Sequence, residues 1–278
     1  AILVAIIIPL TGAAGILITR SMPNLREGVT LLTGSALAYV VFIVLLPVVN
    51  AGEQPTVTLG EMLPGLSFMF KVEPLGMIFG CVASFLWIVT SIYSIGYMRG
   101  HHEENQTRFY FFFAVAIFAT MGLTFSGNMM TLFVFYEVLT LSTFPLVTHA
   151  GTDEAKQGGR VYLGILIGSS ICLLLVAVIW TYVEVGTLDF TKGGILDGTV
   201  GKSTAAILLG LYVFGIGKAA LMPFHRWLPA AMVAPTPVSA LLHAVAVVKA
   251  GVFTVLKITV YIFGIEYLQN MGVSEWLQ

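Results

Sequence analysis

Four residues of this chain could hold or pass a proton, and all four lie inside apolar stretches. Glu137 sits in MTLFVFYEVLTLSTFPLV, Lys218 in LLGLYVFGIGKAALMP, and His243 with Lys249 in SALLHAVAVVKAGVFTVL. Glu137 is eight residues beyond Met129, roughly 12 Å into a helix that rises about 1.5 Å per residue. A charge at the centre of a bilayer costs about 2.5–3.5 kcal/mol on insertion scales. Three such charges of opposite sign are therefore kept only where they pair or border water. A carboxylate beside a lysine strengthens the hold of that lysine on its proton, and separating the two weakens it. Histidine titrates near neutral pH. Together these are the parts of a switchable proton site.

A blander reading competes at each position. One buried lysine can snorkel to the interface, and a Glu–Lys pair can simply clamp two helices. Three groups on neighbouring spans favour ion or proton traffic over that reading. His243 lies six residues before Lys249, about 120° away around a helix, so the two border one cavity rather than touch. No second histidine or carboxylate stands three or four residues from His243, which leaves a metal reading unsupported. His101, His102, His149 and His225 read as polar residues near loops. Lys257 reads as a snorkelling lysine near a helix end, and Glu73 and Glu184 as interfacial.

The sequence around Lys218, GIGKAALMPFHRWLP, supports a path. Gly215 and Gly217 allow close backbone approach. Pro223 cannot donate to the carbonyl of Ala219, so the helix is expected to open one turn beyond Lys218. Freed backbone groups at membrane depth are tolerated only inside protein or beside water. Broken helices next to buried charges are also how transporters build midplane sites.

The elements that must position these groups follow from composition. Of 278 residues, 58% are hydrophobic and only 10% charged, with a formal net charge of -1. Soluble domains carry about 25% charged residues, so this is an all-α polytopic membrane protein, and its charge offers nothing to nucleic acid. Apolar runs near the 20 residues or so of a spanning helix recur at about 1–18, 29–50, 74–98, 109–127, 129–149, 161–183, 204–224 and 230–263. That makes about eight transmembrane helices. The first lacks a basic leader and reads as a truncated or trimmed span. Ala51 to Val72, with Pro55 and Pro64, reads as a hairpin or surface segment outside the membrane. Thr187 to Gly201 is long enough for a helix along the interface. Gly127–Asn128 forces an antiparallel helix pair.

Cys81 and Cys172 fall in apolar runs with no ligand spacing, and no glycine-rich phosphate loop is present. No cofactor or metal is expected, and any redox chemistry belongs to another chain. Loops after odd-numbered spans hold Arg20, Arg26, Arg99, Arg108, Lys156, Arg160 and Arg226. Those after even-numbered spans hold Lys71, Lys192 and Lys202. The bias places the odd loops in the cytoplasm and the N-terminus outside, in a cell (inner) membrane.

At these residues the chain resembles a known family. GKAALMPFHRWLPAAMVAPTPVSALLHAVAVVKAG resembles the central signature of the proton-conducting, antiporter-like membrane subunits. These include the large pumping subunits of respiratory complex I, the A- and D-type subunits of Mrp cation/proton antiporters, and relatives in membrane-bound hydrogenases. EPLGMIFGCVASFLWIVTSIYSIGYMRG and NMMTLFVFYEVLTLSTFPLVTHA resemble the third and fifth spans of that family, and a D-type Mrp subunit is the nearest likeness.

The resemblance implies that Glu137 is the intramembrane glutamate that tunes Lys218 on a broken seventh helix. Protons would then pass towards Lys249 and His243 on the eighth. It implies N-terminal helices 1–3 over residues 1–108 and one five-helix repeat, helices 4–8, over 109–263. A connecting segment over 264–278 follows. The second inverted repeat of the family is absent from this chain, so the expectation is a fragment or a split subunit. Ala230 also stands where many relatives have an acidic residue.

The function expected is a proton-translocating subunit of a cation/proton antiporter or of a complex I-like pump, without a redox centre of its own. Its partners would be other membrane subunits, antiporter-like homologues among them, with protons and a candidate role for Na+. The alternative is a non-conducting structural subunit. The buried charges speak against it, because a scaffold gains nothing from them. A solute transporter is weaker still, for want of a substrate-sized polar constellation.

Overall fold

The apolar runs become helices in the computed structural model, which describes residues 1–63 and 66–270 of the chain. Helix α1 is Ile2–Ile18 and α2 is Pro23–Asn50, the latter with a π turn over Val40–Leu45. A hairpin follows, β1 (Thr56–Leu63) antiparallel to β2 (Leu66–Lys71). Then come α3 (Pro74–Gly100), α4 (Gln106–Thr124), α5 (Met129–Val147) and α6 (Asp153–Val185). After them, α7 is Lys202–Gly215, α8 is Thr236–Phe263 and α9 is Ile265–Asn270. Among the described residues, α2 to α6 and α8 make 6 helices long and apolar enough to cross a membrane. The first and seventh expected spans are apolar helices of 17 and 14 residues. The expected connecting segment reaches past Asn270, beyond the described residues.

Local chemistry sets the helix starts. Pro74 occupies the first turn of α3, where its missing N–H costs nothing. The Asn128 side chain accepts from the Thr131 N–H at the start of α5, and Thr152 accepts from Ala155 at the start of α6. Asp153 and Glu154 then face the positive end of the α6 dipole.

Helices α4 and α5 form the antiparallel pair expected from Gly127–Asn128, and α1 packs on α4. A Cβ on Gly122 would run into the Phe135 ring, so the two backbones approach as closely as glycine allows. Both helices are mostly buried, whereas α2 and α6 leave most of their apolar surface outward. Exposed Ile78, Phe85, Val89 and Ile92 on α3 show the same outward face, which suits lipid rather than water.

Residues 51–72 do form a hairpin, and it is bonded to the bundle. Gly127 N–H donates to Met69 O at 2.9 Å, Lys71 N–H to Phe125 O at 2.7 Å, and the Asn128 amide to Ser67 O at 2.6 Å. The interfacial helix expected over 187–201 does not form. Gly193, Gly194 and Gly198 take φ of 91°, 90° and 72°, a left-handed conformation that no helix continues through. The segment turns back instead, and Ile195 N–H donates to Ile262 O at 2.8 Å.

Widening Gly122 tests the central pair. We expect Gly122→Val to destabilise the purified protein by about 1–3 kcal/mol, the usual cost of overpacking, read as a lower melting temperature in detergent. An unchanged melt would show that α4 and α5 do not meet at this depth.

Candidate functional site

Lys218 has no exposed surface. The position of the helix break explains how it is held. The sequence pointed to Pro223 as the breaker, but α7 already ends at Gly215, ahead of the lysine. A Cβ on Gly215 would strike the Leu174 backbone of α6, and one on Gly217 would strike Ser169. At both positions the chain lies against α6 as closely as glycine allows, and the helix ends between them. Gly217–Ala219 form one 3-10 turn, Ala220 has φ +55°, and Pro223 lies exposed beyond it.

The interrupted backbone finds its partners on side chains. Lys218 N–H donates to the Tyr136 hydroxyl at 3.1 Å, and the Trp227 indole N–H donates to Gly217 O at 2.8 Å. The Lys218 ammonium donates to Tyr136 O at 2.8 Å and to the Thr140 hydroxyl, and lies 3.2 Å from the centroid of the Tyr136 ring. The partners of Lys218 all belong to α5, on the turn that holds Glu137. Tyr162 packs edge-on against Trp227 and shares a 2.6 Å hydrogen bond with Thr143, closing the pocket from α6.

Glu137 is half-buried, and its Oε1 is enclosed without a hydrogen-bond partner among the described residues. It makes no ion pair with Lys218 within 4 Å among those residues, but its charge acts on the ammonium. The two groups therefore share α5 as neighbours and are not in contact.

Lys249 stands elsewhere. The sequence placed it deep inside, yet it is exposed on α8 and lines an apolar groove with Leu75, Ile78 and Val82 of α3. Helical phase is the reason. Ala250, Gly251, Thr254 and Lys257 face the interior, while Lys249, Val252 and Leu256 face out. Gly251 lies under the interrupted segment, where a Cβ would strike the Lys218 carbonyl carbon and Ala219 N. His243 is half-buried in the π turn of α8, and its Nε2 lies 3.2 Å from the Met232 sulfur. The structure thus brings Glu137 and Lys218 together and leaves Lys249 and His243 out of contact with them.

Two charged sets are paired in ways the sequence does not show. Lys257 does not snorkel. It is fully buried and paired at 2.7 Å with Glu73, itself 1% exposed and no interfacial residue. The small-residue face Ala250–Gly251–Thr254 could have marked Lys257 as inward, but its partner lies 184 positions away. At the opposite end Arg99 grips Glu27, and Arg26 donates to Gln106 and Thr107. Two of the seven basic loop residues are thus engaged by other helices, Arg26 buried and Arg99 still exposed.

At that end a polar cavity is lined by His101, His102, Glu103, Glu104 and His149. Among the described residues, no three such side chains stand close enough to hold a metal ion. Burial, and then the Arg108 guanidinium, hold the His149 pKa below its ordinary 6.5.

The comparisons with known proteins agree with this architecture. A family model described as "NADH:quinone oxidoreductase/Mrp antiporter, TM" matches residues 126–274, and one described as "NADH-Ubiquinone oxidoreductase (complex I), chain 5 N-terminus" matches 64–110. The "Putative antiporter subunit mnhA2" of Staphylococcus haemolyticus is 30% identical over 192 residues, covering 68% of this chain and 24% of the relative. Its counterpart in Staphylococcus aureus is 32% identical over 193 residues, with the same coverage. The chain thus spans about a quarter of the length of the curated relatives it matches, and these bear A-type names where the resemblance pointed to the D type. Among solved structures, a chain of the Mrp complex from Dietzia sp. superposes with a TM-score of 0.82 at 27% identity, covering 97% of this chain and 29% of that one. A chain of the membrane-bound sulfane sulfur reductase, an archaeal respiratory membrane complex, shares the fold with a TM-score of 0.77 at 22% identity. That match covers 91% of this chain and 52% of the other.

Two measurements check the site. Thr140→Val keeps the shape but removes an acceptor from a buried ammonium, which should cost about 1.5–3 kcal/mol, read as a lower melting temperature. Because the folded-state pKa of His149 lies below its unfolded value, stability is lost as pH falls through about 6.5. The melting temperature of His149→Gln should therefore fall less between pH 7 and 5 than that of the wild type.

Proposed function

Since this chain belongs to the NADH:quinone oxidoreductase/Mrp antiporter transmembrane family, we propose that it is a proton-translocating part of a multisubunit membrane complex, with Lys218 as its proton-holding group. One observation carries the reading: a lysine without exposed surface sits at a helix interruption, one turn from a half-buried carboxylate that it does not touch. A scaffold gains nothing from that arrangement, and a proton carrier needs it.

The geometry supports a cycle. With Glu137 turned towards Lys218, its negative charge stabilises the ammonium and the site keeps its proton. When Glu137 turns away, the ammonium rests on Tyr136 O, the Thr140 hydroxyl and the Tyr136 ring alone, and its proton is easier to give up. The neutral amine that remains is ready for the next proton. His243 and Lys249 extend the route as relay groups. Lys249 faces the groove between α3 and α8, so it enters the path only when another helix covers that face. Such a helix belongs to further sequence of a longer protein or to an antiporter-like neighbour.

In this reading residues 1–108 form a supporting three-helix unit and 109–263 the proton-conducting repeat. The complex sits in the cell membrane with the N-terminus outside, and exchanges protons with a cation such as Na+. The test uses proteoliposomes holding the whole complex. Glu137→Ala and Lys218→Ala should each assemble and lower proton flux at least tenfold; wild-type flux in both would refute the reading.

A further inference from the structure

The pair of Lys257 and Glu73 is a further place where charges lie inside the bundle, with almost no exposed surface, and the route above makes no use of it. Lys257 Nζ donates to Glu73 Oε2 at 2.7 Å and to Ser126 O at 3.1 Å. The other carboxylate oxygen, Oε1, lies 3.3 Å from Lys71 Nζ. One carboxylate thus serves two ammonium groups, at 0% and 22% side-chain exposure. Lys71 ends strand β2, where its N–H donates to Phe125 O, so its backbone is anchored beside the buried pair. The remaining walls are aromatic. Phe190 lies 4.1 Å and Tyr261 5.2 Å from the Lys257 ammonium, and the Tyr261 phenol faces Glu73.

A clamp between helices does not need this composition. Replacing a buried ion pair with apolar side chains is often neutral or stabilising. A second cation crowding the same carboxylate weakens the clamp further. The position along α8 is more telling. Lys218 rests on Gly251, and Lys257 follows six residues later, about 9 Å further along the helix axis. The buried Thr254 hydroxyl lies between them on the same inward face, and the Thr124 hydroxyl on α4 is buried without a hydrogen-bond partner among the described residues. Polar groups therefore continue from the interrupted helix to the hairpin end of the bundle.

We propose that Lys71, Glu73 and Lys257 form a second protonatable station, through which a proton leaving Lys218 reaches the surface beside the β-hairpin. This rests on the reading of Lys218 as the proton-holding group. The Lys257 amine accepts a proton from the Lys218 side and pairs as ammonium with Glu73. It regains its neutral form by giving that proton to water at the hairpin surface. One proton enters and one leaves. Lys71 sets the balance, because its own charge shares Glu73 and repels the proton on Lys257. Lys249, on the outward face of α8, is not needed for this branch.

Arginine separates a station from a clamp, since a guanidinium keeps the ion pair but does not release its proton. In proteoliposomes holding the whole complex, Lys257→Arg should assemble in wild-type amounts, with proton flux at least tenfold lower. Wild-type flux in Lys257→Arg, with Lys218→Ala inactive, would overturn the station and leave the Lys218 reading intact. Wild-type flux in Lys218→Ala with Lys257→Arg inactive would overturn the Lys218 reading instead. Lys71→Gln, at a half-exposed site, guards against a folding defect in the arginine variant. Removing its charge should move the alkaline limb of the flux–pH profile to higher pH, and an unshifted profile would refute the proposal.

Discussion

An interrupted helix at membrane depth must satisfy its backbone without water, and that requirement organises the centre of this protein. Ending α7 at Gly215 frees polar groups where lipid offers no partner. The Tyr136 hydroxyl takes the Lys218 N–H, the Trp227 indole supplies Gly217 O, and a 3-10 turn joins Ala219 N–H to Ile216 O. The same turn of α5 that repairs the backbone also holds the ammonium. The groups that repair the backbone and those that hold the ammonium thus meet around one turn of α5.

Close backbone contact is the second part of that arrangement. Gly215 and Gly217 lie against α6, and Gly251 of α8 lies against the interrupted turn. A side chain at any of the three would push the turn away from Tyr136 and Thr140. The glycines therefore act by letting the lysine reach its acceptors, rather than by making the segment flexible. Trp227 then covers the site, packed edge-on against Tyr162.

The two ends of the bundle solve different problems. At one end Arg99, Glu27, Arg26 and Gln106 tie α2 to α3 and α4 through charge-assisted hydrogen bonds. At the other end the hairpin is sewn to the α4–α5 turn by backbone bonds, and the segment after α6 is tied to both α5 and α8. That second end contains the buried Glu73–Lys257 pair, so its charges are enclosed by chain segments distant in sequence.

Composition and hydrophobic run length alone determined that this is a bundle of apolar helices, because a chain with 10% charged residues cannot be covered by water-facing surface. Glycine, proline and a lysine within one short stretch also announced an interrupted helix. The break lies ahead of the position that Pro223 marks, because proline's missing N–H is visible in the sequence whereas the close approach of Gly215 to Leu174 is not. The burial of Lys249 and Lys257 is the reverse of what their positions in the run suggest, for a related reason. In a membrane helix both faces are apolar, so hydrophobicity carries little phase information, and eight residues separate one lysine facing out from another facing in. Only the tertiary structure decided which lysine was buried and gave it Glu73, since a contact across 184 positions depends on how helices pack and leaves no local trace.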